Sequence, residues 1–150
     1  MSQTKIMVAL QDREHVTGLV TLACEMARGS GADVIALHVV EVGLGLPLDA
    51  DDAALDRPGQ RLLELARQAA SQKCVKEIST RLVRAREAGP AIIREAEDQA
   101  ADLIILGYRR KKSYVAKALL GSAVEYVTEH APCRVIVQTV PAAEAKTAAA

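Results

Sequence analysis

Residues 101–140 read ADLIILGYRRKKSYVAKALLGSAVEYVTEHAPCRVIVQTV, and the order of elements in this stretch decides the fold. The apolar run Leu103 to Leu106 is closed by Gly107, a pattern typical of a strand buried on both faces of a sheet. After a polar loop, Gly121-Ser122 opens a segment with apolar residues at helical spacing, and Pro132 ends it. The stretch therefore predicts a strand, a loop, a helix and a last strand over Arg134 to Thr139.

The start of this helix is a candidate anion site. Backbone N–H groups, the hydroxyl of Ser122 and the positive end of the helix would converge at one point, as they do in phosphate sites. Glycine and serine are also common where an ordinary helix follows a strand. The spacing alone therefore leaves both a phosphate site and a simple turn open.

The rest of the chain alternates strands and helices in the same way. Apolar runs predict strands at Lys5 to Leu10, Ala32 to Val40 and Ile78 to Ala85. Helical stripes predict helices from the N-cap Asp12 to Gly29, from Gln60 to Lys73, and from Ala88 to Ala100, with a solvent-exposed loop over Glu41 to Gly59. Arg81, Arg84 and Arg86 favour a sheet edge for the third strand.

Five strands alternating with four helices predict an α/β fold of three layers, Rossmann-like or flavodoxin-like, with right-handed crossovers. We expect one five-stranded parallel sheet in the order 3-2-1-4-5. Residues 1–140 would form a single domain, and the tail 141–150 would be disordered because it has no apolar face to bury. In such sheets a ligand lies beyond the carboxyl ends of the strands, where the strand order reverses. That point brings Gln11 and Asp12 together with Gly107 and Gly121-Ser122.

The composition argues against several classes of partner. Nineteen basic residues balance nineteen acidic ones, and the only aromatic residues are three tyrosines, so neither a basic surface nor base stacking favours nucleic acid. No apolar run reaches the roughly 18 residues of a membrane span, and the N-terminus lacks the pattern of a secretion signal. We therefore expect a cytoplasmic protein without membrane insertion.

The cysteines and histidines give little indication of a redox, metal or catalytic site. Cys24, Cys74 and Cys133 are far apart and form no C-x-x-C pair, so we expect buried free thiols. The three histidines share no helix face, and we predict no metal site. His15 is the only histidine expected near the cleft, and one histidine makes a weak catalytic case. No catalytic residue is assigned.

Four segments together resemble the universal stress protein family over the chain up to about Val140. They are IMVAL at 6–10, ADVIALHVVE at 32–41, AGPAIIREAEDQAADLIILG at 88–107 and LLGSAVEYVTEHAPCRVIVQ at 119–138. The last two are especially similar to the family pattern, and the order and combined length of all four make the resemblance specific.

The resemblance implies an adenine-nucleotide site. Binding members hold ATP or AMP with a pattern of Gly, two residues, Gly, nine residues, then Gly and Ser or Thr. Gly107, Gly121 and Ser122 match its ends, but Arg110 replaces the second glycine and ten residues, 111–120, stand where nine are expected. Gln11 stands where binding members have Asp, and Val39 fits the position whose backbone meets adenine. The candidate nucleotide-binding residues are Ala9, Gln11, Asp12, Val39, Gly107, Arg109, Arg110, Gly121, Ser122 and Ala123.

Three functions compete. The first is a small dimeric stress-response regulator that acts on an unknown protein partner, pairs through Arg134 to Thr139, is not chiefly an enzyme, and has weakened, altered or lost nucleotide binding. The second is a genuine ATP- or AMP-binding switch with slow ATP hydrolysis, in which the basic residues 109–112 compensate for the missing glycine. The third is an unrelated enzyme on a similar scaffold, for which the chain offers neither G-x-x-x-x-G-K-[ST] nor G-x-S-x-G.

Overall fold

The computed structural model describes residues 5–109 and 122–140. Its strands all pair in parallel. The described part contains one five-stranded sheet in the order β3-β2-β1-β4-β5, as predicted. Its strands are β1 (Lys5–Ala9), β2 (Asp33–Glu41), β3 (Ser79–Ala85), β4 (Leu103–Arg109) and β5 (Arg134–Val140). Its α-helices are α1 (Val16–Ser30), α2 (Arg57–Lys73), α3 (Ala88–Asp98) and α4 (Ser122–His130).

Helices cover both faces of the sheet. Successive residues of a strand point to opposite faces, and the central strands carry apolar side chains on each face that the helices bury. In β1, Ile6 and Val8 pack into a core with α1 and α2, which we call the α1/α2 layer. Met7 and Ala9 pack into a second core with α3 and α4, the α3/α4 layer. Burial on both faces explains why the central strands are continuous apolar runs.

Most boundaries differ from the sequence prediction by one or two residues, and three differences have a clear physical reason or consequence. Gly107 does not end β4 but pairs with Gln138 inside it; a Cβ at Gly107 would lie 2.7 Å from Nδ1 of His15, so close packing explains the glycine. Helix α2 begins at Arg57, not Gln60, with Pro58 in its first turn, where proline's missing N–H is tolerated. Asp12 precedes a 3-10 turn, Arg13–His15, and makes no side-chain capping bond.

The prediction of free thiols was wrong for two of the three cysteines. Cys24 in α1 and Cys74 at the end of α2 form a disulfide with a Cα–Cα distance of 4.7 Å, while Cys133 is free. The two residues are separated by 50 positions in sequence, and the packing of α1 against α2 brings them together. The disulfide closes the α1/α2 layer covalently.

The arginines of β3, Arg81 and Arg84, lie at a sheet edge, as predicted, and Arg84 also anchors the chain that follows β2. Arg84 pairs with the carboxylate of Asp56 and donates to the carbonyls of Leu48, Ala50 and Asp52. Arg81 pairs with the buried Glu95 of α3. Charged side chains on an edge strand discourage the addition of a further strand.

The described helices are all too short or too polar to cross a membrane. The predicted tail, 141–150, lies outside the described residues.

Candidate functional site

The strand order reverses beside β1, which lies between β2 and β4. Ala9 is in register with Leu37 of β2 and with Leu106 of β4. Val39 and Gly107 continue their strands beyond these partners, towards the same edge of the sheet. The structure therefore brings Ala9, Val39 and Gly107 to the carboxyl edge where the sequence placed a ligand.

The backbone of Val39 lies beyond the last residue pair of β1 and β2, Ala9 and Leu37, because β1 has already ended. Leu10 donates its N–H to the carbonyl of Leu37 at 2.8 Å, which shows that the polar groups of Leu37 face β1. In a parallel strand, the residue two positions later points its N–H and C=O in the same direction. The N–H and C=O of Val39 thus face the space just beyond β1.

The carboxamide of Gln11 fills that space. Its Oε1 accepts from the N–H of Val39 at 3.3 Å, and its Nε2 donates to the carbonyl of Val39 at 3.4 Å. Gln11 is exposed, whereas the side chain of Val39 is buried in the α3/α4 layer. A side chain therefore satisfies the backbone pair that a longer β1 would have satisfied.

Two histidines flank the exit of β1. His38 donates from Nδ1 to the carbonyl of Leu10 at 2.7 Å, which ties this exit to β2. The side chain of His15 is 3% exposed, and its Nδ1 lies 3.7 Å from the Asp12 carboxylate. Burial lowers the pKa of His15, and the charge of Asp12 partly opposes this shift. The neutral form of His15 is therefore favoured, and its ring packs beside Gly107.

A cavity of about 350 Å³ lies between the first turns of α3 and α4. Ser122 and Ala123 from the predicted site line it, and so do Glu41, Glu87 and Tyr126. Glu41 accepts the N–H of Ala88 at 3.0 Å and so caps α3. The sequence analysis missed Glu41 and Glu87, although Glu87 directly precedes the Ala-Gly-Pro start of that helix and could have been noticed there.

The predicted site residues fall into three groups. Ala9, Gln11, Val39 and Gly107 meet at the carboxyl edge, and Asp12 lies beside them against His15. Ser122 and Ala123 begin α4, with Ser122 exposed. Arg109 is the last residue of β4, and Arg110 and Gly121 lie outside the described residues. Within residues 5–109 and 122–140, no group of three or more His, Cys, Asp or Glu side chains could hold a metal ion.

Known proteins share this architecture. A universal stress protein of Methanothermobacter thermautotrophicus is 33% identical over 135 residues, which cover 85% of this chain and 90% of the relative. A crystal structure of a universal stress protein in complex with cAMP has a TM-score of 0.70 at 19% identity, over 93% of this chain and 98% of its own. The universal stress protein of Archaeoglobus fulgidus in complex with dAMP has a TM-score of 0.67 at 22% identity, over 91% and 98%.

The two structural likenesses bear on the fold, and a sequence profile bears on the family. The profile described as the universal stress protein family matches residues 3–138, nearly the whole chain. The match includes all four segments on which the resemblance was based. The chain therefore belongs to the universal stress protein family.

Proposed function

We propose that this protein is a small dimeric stress-response regulator of the cytoplasm that binds adenine nucleotide weakly and signals through an interaction surface. The carboxyl edge formed by Ala9, Val39 and Gly107, which Gln11 borders, would hold the nucleotide. Two proteins of similar fold were solved with the adenine nucleotides cAMP and dAMP, which supports this class of ligand. The departures of this chain from the nucleotide-binding pattern support the weakened affinity.

The observation that carries the proposal is the charge of the cavity at the start of α4. The N-terminus of a helix favours an anion, but two carboxylates, Glu41 and Glu87, line the cavity that Ser122 shares. Glu41 also occupies the N–H of Ala88. A phosphate near Ser122 would therefore meet like charge, so we expect the helix to hold it less tightly than a helix start with neutral neighbours.

The altered glycine pattern of the loop also predicts weaker nucleotide binding. Arg110 in place of glycine, with one additional residue before Gly121, would displace backbone donors from a phosphate. A hydrogen bond to a charged group contributes about 1.5 to 3 kcal/mol, so the loss of two would weaken binding by roughly a hundredfold or more. Arg109 and Arg110 would recover part of this only after ordering long side chains.

Calorimetric titration with ATP and Mg²⁺, and separately with AMP, tests the proposal. We expect dissociation constants above the low micromolar range for both nucleotides. Glu87→Gln should strengthen ATP binding severalfold because it removes one negative charge from the cavity. Glu97→Gln is the matched control, since it makes the same change at an exposed position near the other end of α3.

Two outcomes would contradict this proposal in different ways. A dissociation constant at or below the low micromolar range for wild-type protein would instead support the ATP-binding switch, with the basic residues 109–112 as compensation. No heat of binding with either nucleotide, for wild type and Glu87→Gln alike, would remove nucleotide from the function altogether.

The dimer is proposed from β5, the strand at the other edge of the sheet. Its apolar residues Val135, Ile136 and Val137 are only partly buried, and an edge strand has backbone groups without a strand partner on one side. We expect a dimer at micromolar concentration by sedimentation. Val135→Lys combined with Val137→Lys should give monomer, whereas Val83→Lys, at a partly buried position on the opposite edge, should not. A wild-type monomer would exclude a stable dimer.

A further inference from the structure

We infer that the Gln11 carboxamide competes, from within the chain, with the base of an adenine nucleotide for the backbone of Val39. This inference rests on the proposed nucleotide site and concerns its regulation. In the structure the carboxamide already holds both polar groups of Val39, its N–H at 3.3 Å and its C=O at 3.4 Å. A base that uses these groups must first displace Gln11.

The competition has a specific chemistry. The backbone of Val39 presents a donor N–H beside an acceptor C=O, and the Gln11 carboxamide pairs with them through an acceptor oxygen beside a donor NH₂. A 6-aminopurine presents the same order, with an acceptor ring nitrogen beside an amino donor. Hypoxanthine presents the reverse order at that edge, with a ring N–H beside a carbonyl oxygen. Gln11 is therefore a mimic of adenine, but not of hypoxanthine.

The identity of residue 11 makes this self-pairing possible. An ionised aspartate has only acceptor atoms, so it could accept from the N–H of Val39 but could not donate to its carbonyl. Glutamine supplies both roles and has one further methylene of reach. The substitution noted in the sequence thus does more than remove a charge, because it adds an internal occupant.

The contact is also suited to exchange. Both distances exceed the usual 2.9 to 3.0 Å of an N–H···O bond, so each bond is weak. Gln11 is exposed, so its side chain can turn into water without disturbing the core. A site that is open for only about a tenth of the time loses about tenfold in apparent affinity. We expect an effect of that order.

The test compares AMP with IMP, which differ at the base edge and share the ribose phosphate. Calorimetric titration of Gln11→Ala should show about tenfold tighter AMP binding than wild type and little change for IMP. Gln68→Ala, which removes an exposed glutamine from α2, is the matched control and should change neither affinity. In NMR spectra of wild-type protein, AMP should move the side-chain NH₂ signals of Gln11 to the positions of a free carboxamide.

The possible failures are distinguishable. Equal AMP affinity in wild type and Gln11→Ala would overturn the competition while leaving the proposed nucleotide site in place. An equal gain for AMP and IMP would also overturn it, since the effect would not depend on the base edge. Absence of AMP binding in every variant would overturn the nucleotide site and, with it, this inference.

Discussion

The two helical layers of this protein are held together by different means. In the α1/α2 layer a disulfide joins Cys24 to Cys74. In the α3/α4 layer the helices meet through a close approach, where a Cβ at Gly89 would lie 2.8 Å from Cβ of Tyr126, and Cys133 is a free thiol. One layer thus depends on a covalent bond that a reductant can break, and the other depends on steric fit beside the candidate cavity. Stability and site geometry should therefore respond to different changes.

The largest expected effect is the loss of the disulfide. Replacing both Cys24 and Cys74 by Ser should lower the free energy of unfolding by about 2 to 4 kcal/mol, because the unfolded chain regains the freedom of a long loop. Urea unfolding measures this change. A reductant should destabilise wild type but not the double variant, and Cys133→Ser is the control outside the bond. Equal midpoints for wild type and the double variant would show that the α1/α2 layer does not depend on this bond.

A matched pair of glycine substitutions compares the layers directly. Gly89→Ala should cost about 1 to 3 kcal/mol, because Tyr126 or the helices must move to admit the methyl group. Gly29→Ala in α1 meets nothing within 4 Å and should stabilise by about 0.5 to 1 kcal/mol, since glycine weakens a helix. Thermal unfolding of both variants gives the comparison. A similar effect at both positions would show that the contact between α3 and α4 is not tight.

The smallest expected effect is a pH dependence in the α1/α2 layer. Burial lowers the pKa of His15 in the folded protein, and the charge of Asp12 partly offsets this shift. As the pH falls below 6.5, the ordinary pKa of histidine, the His15 side chain therefore takes up a proton more readily in the unfolded chain than in the folded one. The His15 contribution should be fully present above that pH and decline as pH falls towards the folded pKa.

Urea unfolding between pH 5 and 8 checks this sign. His15→Leu should flatten the dependence, and His130→Leu at an exposed position should preserve it. A His15→Leu profile that keeps the wild-type slope would assign the dependence to other groups.

The alternation of strands and helices, together with the family resemblance, was enough to predict the strand order, and local sequence patterns predicted most elements to within a few residues. Apolar runs such as Leu103 to Leu106 are set by burial on both faces of the sheet, and burial leaves a direct mark on composition. The start of α2 could have been placed correctly from Pro58, which is typical of a first helical turn. The disulfide could not, because the packing of α1 against α2 brings Cys24 and Cys74 together.

The candidate site was predictable in its location but not in its contacts. The rule for parallel sheets placed Gln11 and Gly107 at one edge, and the family resemblance added Val39. The pairing of Gln11 with Val39 depends on where β1 ends and on the conformation of one side chain, and neither leaves a pattern in sequence. The reason for glycine at position 107 lies across the fold, in the imidazole of His15.

The arginines of β3 have a consequence for the size of any assembly. A sheet with two open edges can add copies head to tail without limit, which produces a filament. Here Arg81 and Arg84 place ion-paired charges on the β3 edge, which disfavours the addition of a strand there, so the proposed dimer would form at β5. Two copies joined at β5 would carry β3 at both outer ends. Growth would then stop at two, in a closed twofold assembly that keeps the carboxyl edge of each sheet open to its ligand.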